Sequence, residues 1–376
     1  MYDGTTVPTC GQYVIRVGPG PGKGASGCDG ASCTFSCDTT TGDDAAWSYQ
    51  RLLSTTTSAT LILNKRNDCC ECVPRKWHDE LSFWRVLPDG SLQKKPKWIG
   101  PVVDVIDDET TGSLTINAKD RSVWLLEEWI IQKGFSQILE PAEARFERLI
   151  KLATLGTLGL SLVRLGGVDL SGINISDDVA DWTKLGPELQ KLQGFGIQWA
   201  VIGDEIVFGR LSDRLTSAII DPSVHWVGGG AIVSDLGSTS ISNLVVKGEG
   251  FDPVAYPETI SFDPCEGAHV DVVEPSFELT EETAALYARQ EFERRSAQGL
   301  SIATSVDSSV SEDWPISVCD MRPGGTVEID TSDEQFCLNA KTEATLTEST
   351  FEGVGCEEKS VKVTLAPAST VQASLL

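Results

Sequence analysis

The sequence predicts a mainly β protein in which two blocks of antiparallel barrel-type strands flank a small α+β module. Three observations predict it. Short alternating segments separated by turn chemistry run from Trp47 to Trp129, a second set of such segments occupies 218–365, and apolar residues at helical spacing lie between them.

Gln12–Val17 reads as the first strand, followed by a Gly-rich and Cys-rich excursion over 17–45. Gly18, Gly20 and Gly22 make a weak phosphate loop, because prolines separate the glycines and no dinucleotide-type helix follows. The runs Leu61–Asn64, Glu80–Val86, Trp98–Val105 and Ser113–Ala118 are rich in β-branched and aromatic residues. Pro88-Asp89-Gly90 and Thr111-Gly112 supply tight reversals, since glycine reaches positive φ without steric cost. A meander of this kind closes best into a small barrel, which removes open sheet edges.

Ser122–Ile131 reads as a short helix, and Pro141 opens a longer one reaching about residue 155. Proline in a first helical turn forfeits no hydrogen bond. In that helix Phe146, Leu149, Ile150 and Ala153 share an apolar face, while Arg145, Glu147, Arg148 and Lys151 lie outside it. A third helix is expected over Val179–Gln193, with a break or kink at Pro187. Gly203-Asp204 then joins two alternating strands, Ile197–Val201 and Ile206–Gly209, in a hairpin. Strand signals return at Ala231–Val233 and Asn243–Gly248, before a Pro-rich segment over 251–275. The strongest helical segment is Glu278–Gln298, with Thr280 as its cap, Glu281 and Glu282 in its first turn, and Gly299 to stop it. Further strands are expected at Leu300–Thr304, Ile316–Val318, Thr326–Ile329, Ala344–Thr347 and Ser360–Leu365, and 366–376 reads as an arm that a partner orders.

With 376 residues and 40% hydrophobic content, two or three cored domains are expected rather than a disordered chain. No window approaches the ~18 consecutive apolar residues of a membrane span. The start, Met1–Thr6, has neither the basic flank nor the apolar core of a secretion signal, so synthesis in a cytoplasm is expected. The net charge is −25, and residues 251–376 alone hold 24 acidic against 7 basic residues. That third of the chain should repel nucleic acid, although solubility alone explains an acidic surplus equally well.

Of 11 cysteines, Cys10, Cys28, Cys33, Cys37, Cys69, Cys70 and Cys72 crowd the first fifth of the chain. Their spacing lacks the paired Cys-x2-Cys knuckles of ordinary zinc sites, so reduced or locally paired thiols are expected, with a bound metal as the alternative. His78, His225 and His269 stand in no nucleophile or metal-ligand arrangement. Asp107-Asp108-Glu109 and Asp177-Asp178 fall in turns, where solvated carboxylates are the ordinary outcome rather than a glycosidase pair. Lys94-Lys95-Pro96-Lys97-Trp98 is too isolated for a nucleic-acid groove, and Ser54–Ser58 is loop composition. No catalytic, cofactor-binding or metal-binding residue is therefore assigned, and no cofactor is expected.

Four segments carry a family resemblance: Asn67–Cys72, Trp77-His78-Asp79-Glu80-Leu81, Trp98-Ile99-Gly100-Pro101-Val102 and Ile116–Leu125. Together they resemble minor tail proteins of long, non-contractile-tailed phages that infect actinobacteria. The pattern is a Cys-containing turn, a Trp-x-x-Glu-Leu strand, a Trp-x-Gly-Pro-Val strand and a helix start with Asp120 and Trp124-Leu125. The likeness is specific over 67–131. The later part is similar in outline to tail hub proteins, through Ala285-Leu286-Tyr287-Ala288-Arg289-Gln290-Glu291, Trp314-Pro315-Ile316 and Met321-Arg322-Pro323-Gly324. The Cys-rich excursion at 17–45 departs from the pattern.

The resemblance implies a tail-tip hub, similar to the trimeric baseplate hubs of contractile tails. In such hubs each chain contributes two tube-type barrel domains, so three chains make a pseudo-sixfold ring that adapts a sixfold tube to threefold tip proteins. Here the expected units are 1–135, an N-terminal barrel with the 17–45 insertion; 136–215, an α+β module; and 216–376, a C-terminal barrel with one packed helix and an arm. The implied partners are two further copies as a homotrimer, the distal tail and tube proteins, the C-terminus of a tape-measure protein and tip or central fibre proteins. DNA is met only in passage, without stable nucleic-acid or membrane binding. The implied location is the virion tail tip, after assembly in the host bacterial cytoplasm. The competing expectation is a tail-tip adhesin or an enzyme acting on cell-wall glycan, for which Trp77, Trp84, Trp98 and Trp226 would supply an aromatic platform; at strand spacing they read first as core.

Overall fold

The computed structural model describes residues 12–19, 33–35, 45–64, 73–87, 89–136, 138–152, 160–165, 174–175, 178–193, 197–209, 214–220, 232–235, 241–248, 250–259, 269–275, 279, 281–296, 300–307, 323–330, 341–355 and 357–367. The early strands are β1 (Tyr13–Pro19), β2 (Cys33–Phe35), β3 (Ala46–Leu52), β4 (Ser58–Asn64), β5 (Asp79–Arg85), β6 (Trp98–Asp108) and β7 (Ser113–Lys119). In β3, β4 and β7 burial alternates residue by residue, as the hydrophobic pattern requires of a strand with one covered face. Gly90 and Gly112 close their turns at φ +80° and +65°.

The middle elements are short strands β8 (Ile130–Ile131) and β9 (Glu140–Pro141), helix α1 (Ala142–Leu152), β10 (Ser161–Leu165), β11 (Asn174–Ile175), β12 (Thr183–Lys184), helix α2 (Leu185–Gln193), and the hairpin β13 (Gln198–Ile202) and β14 (Glu205–Gly209). Phe146, Leu149, Leu185, Leu189, Trp199, Ile206 and Phe208 pack into one core between the helices and the β10-β14-β13 sheet. Two helical expectations change. Ser122–Ile131 is helical over 122–128, its larger part a π-helical turn at Trp124–Glu128, and ends in a short strand. The helix expected from Val179 begins at Leu185, because Val179 exchanges two backbone hydrogen bonds with Phe135 (2.9 and 3.0 Å) and Thr183–Lys184 pairs with Ile130–Ile131. Pro187 therefore sits in the first turn, where its missing N–H costs nothing, and makes no kink.

The later elements are β15 (Arg214–Ile220), β16 (Ile232–Asp235), β17 (Asn243–Val246), β18 (Val254–Tyr256), β19 (Val270–Val273), helix α3 (Glu281–Ser296), β20 (Leu300–Asp307), β21 (Thr326–Asp330), β22 (Lys341–Val354) and β23 (Glu357–Pro367). Helix α3 packs on the smaller sheet of this region. Its Tyr287 and Ala288 cover a separate three-stranded sheet, β18-β17-β19, with Leu244 and Val246 between. The strand expected at Ile316–Val318, the Thr280 cap and the arm beyond Pro367 lie outside the described residues.

The two strand blocks form one sheet, in the order β16-β20-β23-β22-β3-β4-β7-β6-β5-β1-β2, with β15 and β21 branching from β22. Strand β22 is the splice: Lys341–Thr345 pairs with β21, and Glu348–Val354 pairs with β3. Beyond β1 the sheet curls back on itself, because Gln12 bridges Glu357 at the start of β23. The β22–β23 hairpin thus completes a ring begun by β3-β4-β7-β6-β5-β1. One core fills it, joining Tyr13, Trp47, Tyr49, Leu61, Phe83, Trp98 and Ile116 to Phe351, Val361 and Val363.

Candidate functional site

Where the hairpin enters the ring, aromatic side chains stack in series. Tyr49 is parallel to Trp47 at 6.0 Å and to Phe351 at 4.7 Å between centroids, and Tyr13 tilts against Trp47 at 5.0 Å. Gly353 makes room for this: a Cβ there would lie 2.1 Å from Trp47 Cζ2. The Trp47 indole N–H donates to the Gly355 carbonyl at 2.9 Å. Tyr13 Oη lies 3.1 Å from Tyr49 Oη and donates to Glu358 Oε2 at 3.1 Å. Burial pushes the Glu358 carboxyl up to about 7, against the Tyr13 hydrogen bond and the charges of Arg51, Arg85 and Lys97. Burial likewise lifts the Tyr49 phenol to about 12 and holds Tyr13 well above the ordinary tyrosine range.

The outer face of the same sheet is polar. Cross-strand register sets Ser360, Glu352, Ser48, Thr60 and Asn117 in one row over β23-β22-β3-β4-β7. Thr60 Oγ1 donates to Asn117 Oδ1 at 3.0 Å. Three lysines of this sheet are each held by a carboxylate: Lys362 by Glu352 at 2.7 Å, Lys359 by Glu357 at 2.5 Å, and Lys119 by Glu127 at 2.6 Å. These exposed pairs add little stability. Their consequence is electrostatic, since none of the three leaves an unbalanced cation for a phosphate.

Of the resembling motifs, Trp77–Leu81, Trp98–Val102 and Ile116–Leu125 lie at the joint between ring and middle module, and Asn67–Cys72 and 314–316 lie outside the described residues. Gly100 and Pro101 turn the corner at which β6 leaves β5 for β7, and a Cβ on Gly100 would lie 1.8 Å from the Lys119 carbonyl oxygen. Asp120 is buried and accepts from Thr57 N (3.1 Å), Thr57 Oγ1 (2.5 Å), Ser122 N (2.9 Å) and Ser122 Oγ. Burial raises its carboxyl to about 6, with those hydrogen bonds pulling the other way. The Trp98 indole donates to Thr57 Oγ1 at 3.0 Å. Arg121 forks onto Glu80, at 3.0 and 2.8 Å, and Trp124 meets Trp77 edge-on at 5.3 Å. On the far side, Ser54 N donates to the Trp199 carbonyl at 2.8 Å, and Lys95 pairs with Glu205 at 2.6 Å. Two segments set aside as loop or isolated basic composition, 54–58 and 94–98, are therefore docking contacts.

Among the described residues, those considered for chemistry lie apart. His78 Nδ1 lies 2.7 Å from Asp79 Oδ1, in a turn where burial raises the Asp79 carboxyl but hydrogen bonds from Arg75 and His78 bring it below its ordinary value. His269 accepts from Ser242 through its backbone carbonyl, and His225 lies outside the described residues. Asp108 caps a turn, accepting from Thr110 N and Thr111 Oγ1 at 2.8 Å. Asp177, and the cysteines other than Cys33 of β2, fall outside the described residues. Among the described residues no group of three or more His, Cys, Asp or Glu is placed to hold a metal ion, and no helix is long and apolar enough to cross a membrane. Trp98 is core, Trp84 is half-buried under Arg16, and Trp226 is not described. Trp182, which the sequence reading passed over, is 72% exposed at φ +63°; no periodicity marks a single side chain in a turn.

No protein-family model matches the sequence, and no curated protein matches it. Solved structures do share the fold. The 43 kDa tail protein of prophage MuSo2 from Shewanella oneidensis superposes with a TM-score of 0.64 at 13% identity, over 95% of this chain and 99% of that one. A tail protein from Neisseria meningitidis MC58 gives 0.64 at 13% identity, over 97% and 99%. Prophage tail protein gp18 from Listeria monocytogenes EGD-e gives 0.57 at 10% identity, over 97% and 98%. All three are tail proteins, and the chain shares their fold over 95–97% of its length.

Proposed function

We propose, from a fold shared along its length with phage tail proteins, that this chain is a structural component of a phage tail and acts as the hub of its tip. In this reading it links the sixfold tube to threefold tip proteins and forms part of the DNA channel. The observation that carries it is the near-complete coverage, in both directions, of the tail proteins from Shewanella oneidensis and Neisseria meningitidis. Two strand blocks in one polypeptide support the symmetry argument: three chains furnish six wall segments. The units 1–135, 136–215 and 216–376 are then a first wall segment, a peripheral module and a second wall segment. Partners are two further copies, tube proteins, the tape-measure C-terminus and tip or fibre proteins, in a virion tail assembled in the cytoplasm of an actinobacterial host. The ion-paired lysines on the outer sheet face suit a wall past which DNA slides without releasing counterions.

The test is the assembly state of the purified protein. Mass photometry and negative-stain imaging should show trimers or rings, and antibody labelling should mark one end of the virion tail. A protein that stays monomeric at micromolar concentration and hydrolyses cell-wall polymer would sink the proposal.

A further inference from the structure

We propose that the outer face of a two-stranded ribbon on the middle module, anchored by Trp182, is a contact surface between copies of this chain. The ribbon pairs β8 with β12 and β9 with β11, and the bridge between Phe135 and Val179 lies between the two pairs. Alternation turns Ile131, Phe135, Ile175 and Val179 inward, where they join the core of the module. A ribbon with one wet face should carry polar side chains on it. Here Leu139 is 71% exposed, Ile130 40% and Trp182 72%, with Ile138 exposed beside them. The ribbon is therefore apolar on both faces.

Trp182 is held rigidly in an unfavourable backbone state. The pairs Ile130↔Lys184, Ile131↔Thr183 and Phe135↔Val179 keep one register, which sets Trp182 opposite Gln132 and diagonal to Ile130. Diagonal neighbours stand roughly 7–8 Å apart, within reach of an aromatic side chain. The φ of Trp182 is +63°, where a bulky residue is a genuine outlier and asparagine or glycine is common. Asp181 Oδ1 accepts from Gly134 N at 2.7 Å, and Thr183 Oγ1 donates to the Ala180 carbonyl at 2.8 Å, so the chain is pinned on both sides of the tryptophan. Gly134 is required by that close approach, since a Cβ there would lie 1.8 Å from the Val179 carbonyl oxygen. An indole so placed serves neither the backbone nor the core. Presented rigidly and in the open, it is the residue type that most often anchors a protein–protein contact.

A second copy is the occupant that the charges favour. At a net −25 two copies repel each other, so they meet best where the signs balance. Among the described residues of the ribbon, Lys133 and Lys184 are matched by Asp178 and Asp181, and Glu140 is buried against Arg145 and Arg148 at 3.3 and 2.8 Å. Ile106 of the ring, also exposed, adjoins the acidic run Asp107-Asp108-Glu109 instead. The four apolar side chains of the ribbon present on the order of 400 Å². That is about half of the ~800 Å² each partner gives to a standard interface, which suits an apolar centre with a polar rim around it. Three copies about one axis, as the hub reading has it, set each middle module beside a neighbour; the contact rests on that reading for the number of copies and not for the surface used.

Sedimentation and mass photometry of the purified full chain over a concentration series test this, with thermal unfolding alongside. Trp182→Asn removes the indole and relieves the backbone, so the melting temperature should hold or rise while self-association weakens on the order of tenfold or more. Leu139→Asn, on the opposite strand, should weaken association in the same direction and decides the matter should Trp182→Asn fail to fold. Ile106→Asn, on the ring, should stay within about twofold of wild type. A wild-type chain that is monomeric throughout, association unchanged in both ribbon variants, an equal loss in Ile106→Asn, or a melting temperature that falls in Trp182→Asn would each overturn the contact. Dimers that dissolve in the ribbon variants would keep the contact and sink the hub reading. Trimers or rings that both ribbon variants still form would keep the hub reading and sink the contact.

Discussion

Replacing Gly353 by alanine tests whether the C-terminal hairpin completes the N-terminal ring. Gly353 needs no positive φ; what it needs is space, since a Cβ would meet Trp47 Cζ2 at 2.1 Å, Trp47 Cε2 at 2.2 Å and the Glu357 carbonyl at 2.5 Å. None of these is the free end of a flexible chain, so the indole or the hairpin must shift. Overpacking of this kind costs about 1–3 kcal/mol. Moving the indole also strands a buried N–H that now donates to Gly355, for about 1–3 kcal/mol more. A loss of about 4 kcal/mol is expected, a large share of the roughly 5–15 kcal/mol that holds a domain. Urea unfolding followed by circular dichroism measures it, with Gly90→Ala as control. Gly90 has open space around it and a φ of +80°, so that substitution probes backbone strain alone and should cost about 1 kcal/mol. In a double-mutant cycle with Trp47→Leu, the second change should recover about 2 kcal/mol, because the two residues touch. If Gly353→Ala stays within about 0.5 kcal/mol of wild type, or shows no coupling to position 47, the hairpin does not seat in the ring and the reasoning fails.

Three further outcomes follow from named contacts. The Asp120 carboxyl is raised from 3.8 to about 6, so the stability it contributes is full below 3.8 and lost as pH climbs through 6; wild type relative to Asp120→Asn should lose about 3 kcal/mol between pH 3.5 and 7 in urea titrations. Arg121→Met or Glu80→Met alone strands a nearly buried charge and should cost about 3–5 kcal/mol, whereas the double change should be close to neutral by the same assay. Glu352→Gln with Glu357→Gln frees Lys362 and Lys359, so gel shifts at low salt should reveal DNA retention absent from wild type, its salt slope steeper by about 0.9 per freed lysine that meets a phosphate.

Local signals carried far in this chain. Alternation located β4, β5, β6 and β7, and the turn residues Gly112 and Gly203 sit at positive φ where the chain reverses. Misreadings came where long-range pairing overrode local propensity. Val179 is captured by Phe135 and Thr183 by Ile131, which delays the helix to Leu185. The roles of the resembling residues were equally hidden. Gly100 serves a corner against Lys119, Asp120 gathers Thr57 and Ser122, and Arg121 meets Glu80 from 41 residues away. A sequence shows that such residues are polar or small; it does not show which neighbour they satisfy.

The sequence by itself determined that this chain is mainly β, with helical elements between its strands, because periodicity, turn residues and composition act over a few residues. Tertiary structure alone decided that Phe351, Val361 and Val363 fill the same core as Tyr13 and Trp47, and that Glu358 is buried against Tyr13. Those facts depend on which strand edges meet. An edge offers the same backbone donors and acceptors to every strand, so only complementary shape, such as Gly353 beneath Trp47, selects the partner.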